Sequence, residues 1–170
     1  MITLVSDTHG TNGHRLTGRT LDAVREADLV VHAGDFTTEV VYEAFRREAA
    51  ELVAVTGNRD RRAVREHLSG TATAEADGLR VVVAHGHEHD RTALSLLARQ
   101  EDADLVVVGH SHQPGVEKLG DATLVNPGSH ADPRRYTAAH GELEPAGKGW
   151  TGRLVTPDGE VLREFALPQA

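Results

Sequence analysis

The chain has 170 residues, a formal net charge of −8 and no cysteine. That length supports one sizeable core, so a single domain over residues 1–170 is expected. The missing cysteines exclude disulfides, cysteine-held zinc and thiol catalysis, and the acidic balance argues against a long electrostatic footprint on nucleic acid.

Hydrophobic residues make up 39% and charged residues 26%, the balance of a folded, water-soluble chain. The opening "MITLVSD" has no basic segment and meets an acid early, unlike a signal peptide. No run approaches the ~18 apolar residues of a membrane span. A cytoplasmic location and no membrane partner are the expectation.

Taken in order, five apolar runs each end in polar residues. "ITLVSDTHG" runs into Asp7 and His9, and "LVVHAGD" into Asp35. "LVAVTGN" ends at Asn58, "LRVVVAHGH" at His85 with His87 beyond it, and "LVVVGHSH" at His110 and His112. β-Branched residues fill these runs without alternation, which predicts strands buried on both faces. Between them lie helical patterns. "GRTLDAVREA" spaces Leu21, Val24 and Arg25 three and four apart. "TEVVYEAFRREAA" opens on a capping threonine and puts Val41, Ala44 and Phe45 on one face, and "DRTALSLLARQ" does likewise with Leu94, Leu97 and Ala98. Strands alternating with helices predict a largely parallel sheet, whose ligands bind beyond the carboxyl ends of its strands.

From about residue 113 the texture changes. "GVEKL", "ATLVNPGS" and "GRLVTPDGEVLREFAL" predict short antiparallel strands, with a turn at Thr156–Gly159. Asp132 to Gly149, rich in proline, glycine and charge, reads as a long loop and a candidate lid.

Asp7, His9, Asp35, Asn58, His85, His110 and His112 form the candidate site. Alone, each has a structural reading: Asn58 after glycine suits a turn, and "GHSH" suits a solvated loop. Together at strand ends they offer two carboxylates, one amide and four imidazoles. That mixture suits Mn, Fe, Ni or Zn better than the all-oxygen shells of Ca or Mg. Seven donors are too many for one such ion and fit two that share a carboxylate, with a bridging hydroxide as nucleophile. Two divalent ions, two carboxylates and one hydroxide leave a charge of +1, which a phosphodiester monoanion would neutralise.

"SDTHG", "GD", "GN", "HGH" and "GHSH", in this order, resemble the calcineurin-like metallophosphoesterase superfamily, and "NPGS" (Asn126–Ser129) its compact prokaryotic YfcE-type phosphodiesterases. The resemblance implies an α/β fold: a four-layer α/β/β/α sandwich of two mixed sheets. It also implies Asp7, His9, Asp35 and His112 on one metal, and Asp35, Asn58, His85 and His110 on the other. Asp7 and His9, two apart, can face one ion if the strand stays extended. Where many members have "GNH", this chain has "GNRD". Arg59 cannot give up a proton at neutral pH but can hold a phosphoryl oxygen.

The expected activity is hydrolysis of a small phosphodiester, with Asp35, Asn58, Arg59 and His87 in catalytic roles. Manganese is the first choice of metal, with nickel, iron, zinc or magnesium as alternatives. The competing readings are a phosphomonoesterase or nucleotidase of the same fold, and a non-catalytic scaffold that binds metal and acts through protein contacts. Self-association into a homo-oligomer is left open. His32 is expected to be a hydrogen-bonded core histidine, and His14, His89, His130 and His140 loop residues. Asp60 is expected either to orient a ligand histidine or to pair with nearby arginines.

Overall fold

A computed structural model describes residues 1–168. The chain order is β1 (Ile2–Val5), α1 (Gly18–Glu26), β2 (Leu29–His32), α2 (Glu39–Glu48), β3 (Leu52–Ala54), α3 (Arg62–His67), β4 (Thr71–Ala76), β5 (Leu79–Ala84), α4 (Arg91–Gln100), β6 (Leu105–Val107), β7 (Gly115–Leu119), β8 (Ala122–Asn126), β9 (His140–Ala146), β10 (Gly149–Val155) and β11 (Val161–Pro168). Two mixed sheets result, ordered β11-β10-β9-β1-β2-β3 and β4-β5-β6-β8-β7. The parallel pairings are confined to β1-β2-β3 and β5-β6-β8.

Three apolar clusters define four layers. Ile2, Leu4, Val31, Val81, Val83, Leu105 and Val107 fill the space between the sheets. Val5, Val24, Val30, Phe36, Val41 and Phe45 seal α1 and α2 onto the first sheet. Ala84, Leu94, Ala98 and Val106 seal α4 onto the second. Neighbours such as Val30 and Val31, or Leu105 and Val106, thus enter different cores, because successive side chains on a strand point to opposite faces. This is why these strands read as unbroken apolar runs. Each fully buried Val or Leu contributes about 1.5–3 kcal/mol over leaving it in water.

Of the four helices among the described residues, only α4 is capped by a side chain at its start. The Asp90 side chain caps α4 by accepting from the Ala93 N–H at 2.8 Å. Thr38 stands at the N-cap of α2, but its hydroxyl donates to the Thr11 carbonyl at 3.0 Å, tying the helix to the loop after β1.

The segment Asp132–Gly149 is not one long loop; only residues 132–139 and the turn at 147–148 lie outside strands. His140–Ala146 within it is β9, hydrogen-bonded between β1 and β10 in the middle of the sheet. Its charge misleads because the charge is paired inside the fold. Glu142 is 1% exposed. It accepts from Arg19 through Nε at 2.7 Å and Nη2 at 3.1 Å, and from Arg153 at 2.8 Å. His140, expected in a loop, is a fully buried strand residue that donates to Glu142 at 2.9 Å and meets the Thr20 hydroxyl at 2.9 Å. Two further elements, α3 and the edge strand β4, go unannounced by the sequence. β4 is "TATAEA", whose small residues alternate between half-buried and exposed and carry little apolar signal.

Burial alone would raise the Glu142 carboxyl, but the hydrogen bonds from His140 and Arg19 outweigh it and hold it at about 2, down from 4.5. A depressed carboxyl contributes stability that is fully present above pH 4.5 and is lost as the pH falls towards 2. Glu142→Gln is therefore expected to lose on the order of 3 kcal/mol at pH 7 in urea unfolding. The gap to the parent protein should close as the pH is lowered through that window.

Candidate metal centre

The C-terminal ends of β1, β2 and β3 in one sheet, and of β5 and β6 in the other, converge at one rim. The seven donors sit on the five loops that leave them. Neighbouring loops are stitched by backbone bonds: Asp7 N–H to Gly34 O at 3.0 Å, His9 N–H to Asp35 O at 3.0 Å, and Gly109 N–H to His85 O at 3.1 Å.

Five of the seven adopt left-handed backbone: Asp7 (φ 53°), His9 (45°), Asp35 (63°), His110 (66°) and His112 (60°). For residues other than glycine this costs on the order of 1 kcal/mol or more each, and persists only where the surroundings enforce it. The extended geometry expected for Asp7 and His9 is therefore wrong. β1 ends at Val5, and the chain turns so that both side chains swing to one point. Glycines make room for the turns. A Cβ on Gly57 would overlap the Asp35 carboxylate, and one on Gly109 would overlap Ser6 Oγ and the Asp7 carboxylate.

The side chains form two adjoining groups. In one, His112 Nε2 and His9 Nε2 lie 3.3 and 3.8 Å from Asp7 Oδ1 and 3.2 Å from each other. In the other, Asn58 Oδ1 lies 3.1 Å from both His85 Nε2 and His110 Nδ1. Asp35 Oδ2 stands between the groups, 3.3 Å from His85 Nε2 and 3.5 Å from His9 Nε2. The trios Asp7–His9–His112 and Asp7–Asp35–His85 each bring their donor atoms within 4.8 Å of one another, close enough to hold an ion.

Outer hydrogen bonds aim these groups. His85 Nδ1–H donates to Ala33 O at 2.7 Å and His112 Nδ1–H to Asp132 O, so each presents Nε2 to the centre. Asp7 Oδ2 accepts from Ser6 Oγ at 2.7 Å and from the His110 N–H at 2.9 Å. Asp7 Oδ1 is buried and has no hydrogen-bond partner among the described residues. Burial raises the Asp7 carboxyl above its ordinary range. At Asp35 burial works the same way, but the hydrogen bond and charge of His85 outweigh it and lower its pKa. Burial presses His85 downward, and Asp35 reverses that, so the imidazole holds its proton more tightly than usual. His9 and His110 are lowered, chiefly by burial.

Of the remaining candidates, His87 lies at the rim, its ring 5.3 Å from that of His85 and 6.1 Å from that of His110. Arg59 contributes through its backbone, donating to Asp35 Oδ1 at 2.7 Å, while its residue is exposed. His32 is the core histidine expected: fully buried, accepting from the Gly34 N–H at 3.1 Å and donating to Thr8 Oγ1 at 2.7 Å. Asp60 does neither of the things expected. It accepts from the N–H groups of Gly57, Thr37 and Asp35 at 2.7, 2.7 and 3.2 Å, pinning the Asp35 and Asn58 loops together. The "NPGS" turn acts similarly. Asn126 Nδ2 donates to Gly109 O at 2.8 Å and Ser129 Oγ donates to Asp7 O at 2.8 Å.

Two clefts share Ser111. One, of about 290 Å³, has Leu94, Val108, Pro114 and Leu124 in its walls. The other, of about 350 Å³, is lined by Ser111, Arg134, Arg135 and Tyr136. Neither arginine is flagged by any strand or metal pattern in the sequence; only their position five and six residues past Ser129 hints at it.

Adding a methyl at Gly57 or Gly109 should therefore disturb the centre itself. Gly57→Ala and Gly109→Ala are each expected to cost about 1–3 kcal/mol in urea unfolding, as overpacked sites do. Gly70→Ala, where a Cβ meets open space, should leave stability nearly unchanged.

The model of the calcineurin-like phosphoesterase superfamily domain matches residues 1–143. A probable metallophosphoesterase of Methanothermobacter thermautotrophicus is 33% identical over 169 residues, covering 97% of both chains. Phosphodiesterase MJ0936 of Methanocaldococcus jannaschii is 27% identical over 138 residues, 75% of this chain and 82% of that one. Among solved structures, Vps29 of Entamoeba histolytica complexed with zinc has a TM-score of 0.76 at 23% identity, over 98% of both chains. YfcE, a phosphoesterase from E. coli, has a TM-score of 0.69 at 20% identity, again over 98% of both. At these identities the two structures speak for the fold alone. By the match of the domain model over most of its length and by its likeness to the Methanothermobacter protein, the chain belongs to the calcineurin-like phosphoesterase superfamily.

Proposed function

We propose that this protein is a metal-dependent phosphoric ester hydrolase acting on a phosphodiester, with two divalent ions at the rim. The observation that carries this reading is Asp7 Oδ1, an acceptor sealed from water, without a hydrogen-bond donor among the described residues, and facing imidazole nitrogens. A cation satisfies it, and the mixed O and N donors suit manganese, iron, nickel or zinc, of which manganese is our first choice. Asp7, His9, Asp35 and His112 would hold one ion, and Asp35, Asn58, His85 and His110 the other. When bound, the ions supply Lewis acidity, polarising the phosphoryl oxygens and lowering the pKa of a water. The phosphodiesterase name carried by the Methanocaldococcus relative supports the substrate class.

The chain's own groups do the rest. Left-handed turns and the Asp60 and Asn126 bonds fix the donors before substrate arrives, so little reorganisation is needed at the reacting centre. The His87 imidazole, at the rim beside His110, is placed to give a proton to the departing oxygen. The exposed Arg59 side chain, next to Asn58, meets a phosphoryl oxygen from the solvent side. The competing reading is a metal-binding scaffold that performs no hydrolysis; one relative, 29% identical over 104 residues, carries the name vacuolar protein sorting-associated protein 29.

Chelation followed by Mn²⁺, Ni²⁺, Zn²⁺ or Mg²⁺ decides between them, with bis(p-nitrophenyl) phosphate assayed against p-nitrophenyl phosphate. Activity should vanish with chelator, return best with Mn²⁺ and favour the diester. Asp35→Asn should lower kcat/KM at least about a hundredfold, and Arg59→Ala should raise KM several-fold. Mn²⁺ at 100 times its Kd should stabilise the parent against urea by about 2.7 kcal/mol. Because the ion must displace the proton that Asp35 holds on His85, Mn²⁺ affinity should fall as the pH drops below the raised His85 pKa. A chelated protein that keeps full activity would sink this reading.

A further inference from the structure

The cleft on the far side of Ser111 from the apolar one carries two arginines that lack a close acid. Arg134 Nε is 4.0 Å from its nearest carboxylate, Asp132, and its side chain is 50% exposed. Arg135 donates to the Tyr136 hydroxyl at 3.0 Å, with its guanidinium 5.2 Å from that ring's centre. Five arginines, Arg19, Arg25, Arg62, Arg91 and Arg153, lie within 2.8 Å of a carboxylate oxygen, and these two do not. In a chain of net charge −8 they are adjacent in sequence and line one cleft together.

Their segment is anchored to the metal centre. Asp132 O accepts from His112 Nδ1, Asp132 N–H donates to Ser129 Oγ at 2.9 Å, and Ser129 Oγ donates to Asp7 O. A turn closed by Tyr136 N–H on Pro133 O, at 2.9 Å, then presents the two arginines, with Arg134 in left-handed backbone (φ 55°).

We propose that Ser111, Arg134, Arg135 and Tyr136 form a second anion-binding subsite. The substrate of the reaction proposed above, on which this clause rests, then carries a second phosphate or carboxylate on the arm that passes Ser111. Two guanidinium groups grip such an oxyanion by charge-assisted bonds, and the serine and tyrosine hydroxyls add donors. The other cleft has no arginine or lysine in its lining and carries Glu117, so the two clefts distinguish the two arms of an asymmetric diester.

The test uses two nucleotides that differ by one phosphate. Calorimetry on the Mn²⁺-loaded protein compares thymidine 3′,5′-bisphosphate with thymidine 5′-monophosphate. The bisphosphate should bind about tenfold tighter or better, with the preference shrinking as salt is raised. Arg134→Ala/Arg135→Ala should bring the ratio to about one, and Arg135→Glu should do the same or invert it. Arg62→Ala, a solvent-facing arginine on α3, should keep the parent's ratio. The same ratio should appear in kcat/KM for thymidine 5′-(p-nitrophenyl phosphate) with and without a 3′-phosphate. Both arginines are exposed, and a thermal melt of each variant checks folding. Equal binding of the two nucleotides by the parent, or a preference that survives in the double variant, overturns the subsite. A preference that is lost in the variants while neither diester is hydrolysed supports the subsite and overturns the hydrolase reading.

Discussion

Two carboxylates that water barely reaches govern this structure: Asp7 is fully buried and Asp35 is 2% exposed. Burying such groups is costly unless donors or cations surround them. Ser6, the His110 amide and the Arg59 amide answer three of the needs, and the imidazoles of His9, His85 and His112 crowd the remainder. The strained turns, the close-fitting glycines and the Asp60 knot are all ways of bringing the backbone round this pair. None of them is needed by the apolar cores, which would be satisfied with ordinary loops.

What the sequence discloses follows from which interactions are local. β1, β2, β5 and β6 are legible because both their faces are buried, so apolarity is continuous along the chain. The donors are legible because each lies within a few residues of such a run. β9 is hidden because the partners of Glu142, Arg19 and Arg153, come from other elements, and a charged, proline-bearing heptapeptide looks like a loop without them. Asp60 and Asn126 are visible in the sequence but their work is not, because much of it is done on the backbone of distant loops. The left-handed turns at Asp7 and His9 depend on tertiary enforcement, so reasoning from an extended strand brings the two side chains together by the wrong geometry.

The family is shared by proteins with different names, phosphodiesterase and Vps29 among them, on one sandwich. A fold of this kind fixes where a site lies and leaves open what it does, which is decided by the residues at the rim. Here the full set of seven donors, the serine-linked arginines on one side and the apolar wall on the other give that rim its own character.

The donors come from both sheets: Asp7, His9, Asp35 and Asn58 from loops of the six-stranded one, and His85, His110 and His112 from loops of the five-stranded one. On the proposed assignment neither half holds a complete ligand set. The rim is therefore a vernier for the sandwich, since a slip of one sheet over the other by a fraction of an ångström is absorbed by soft side chains in the interlayer but spoils coordination outright. Partly denatured chains with intact helices and ladders would fail at this rim before any spectroscopic sign of lost secondary structure appeared, and captured ions would act as rivets between the two layers.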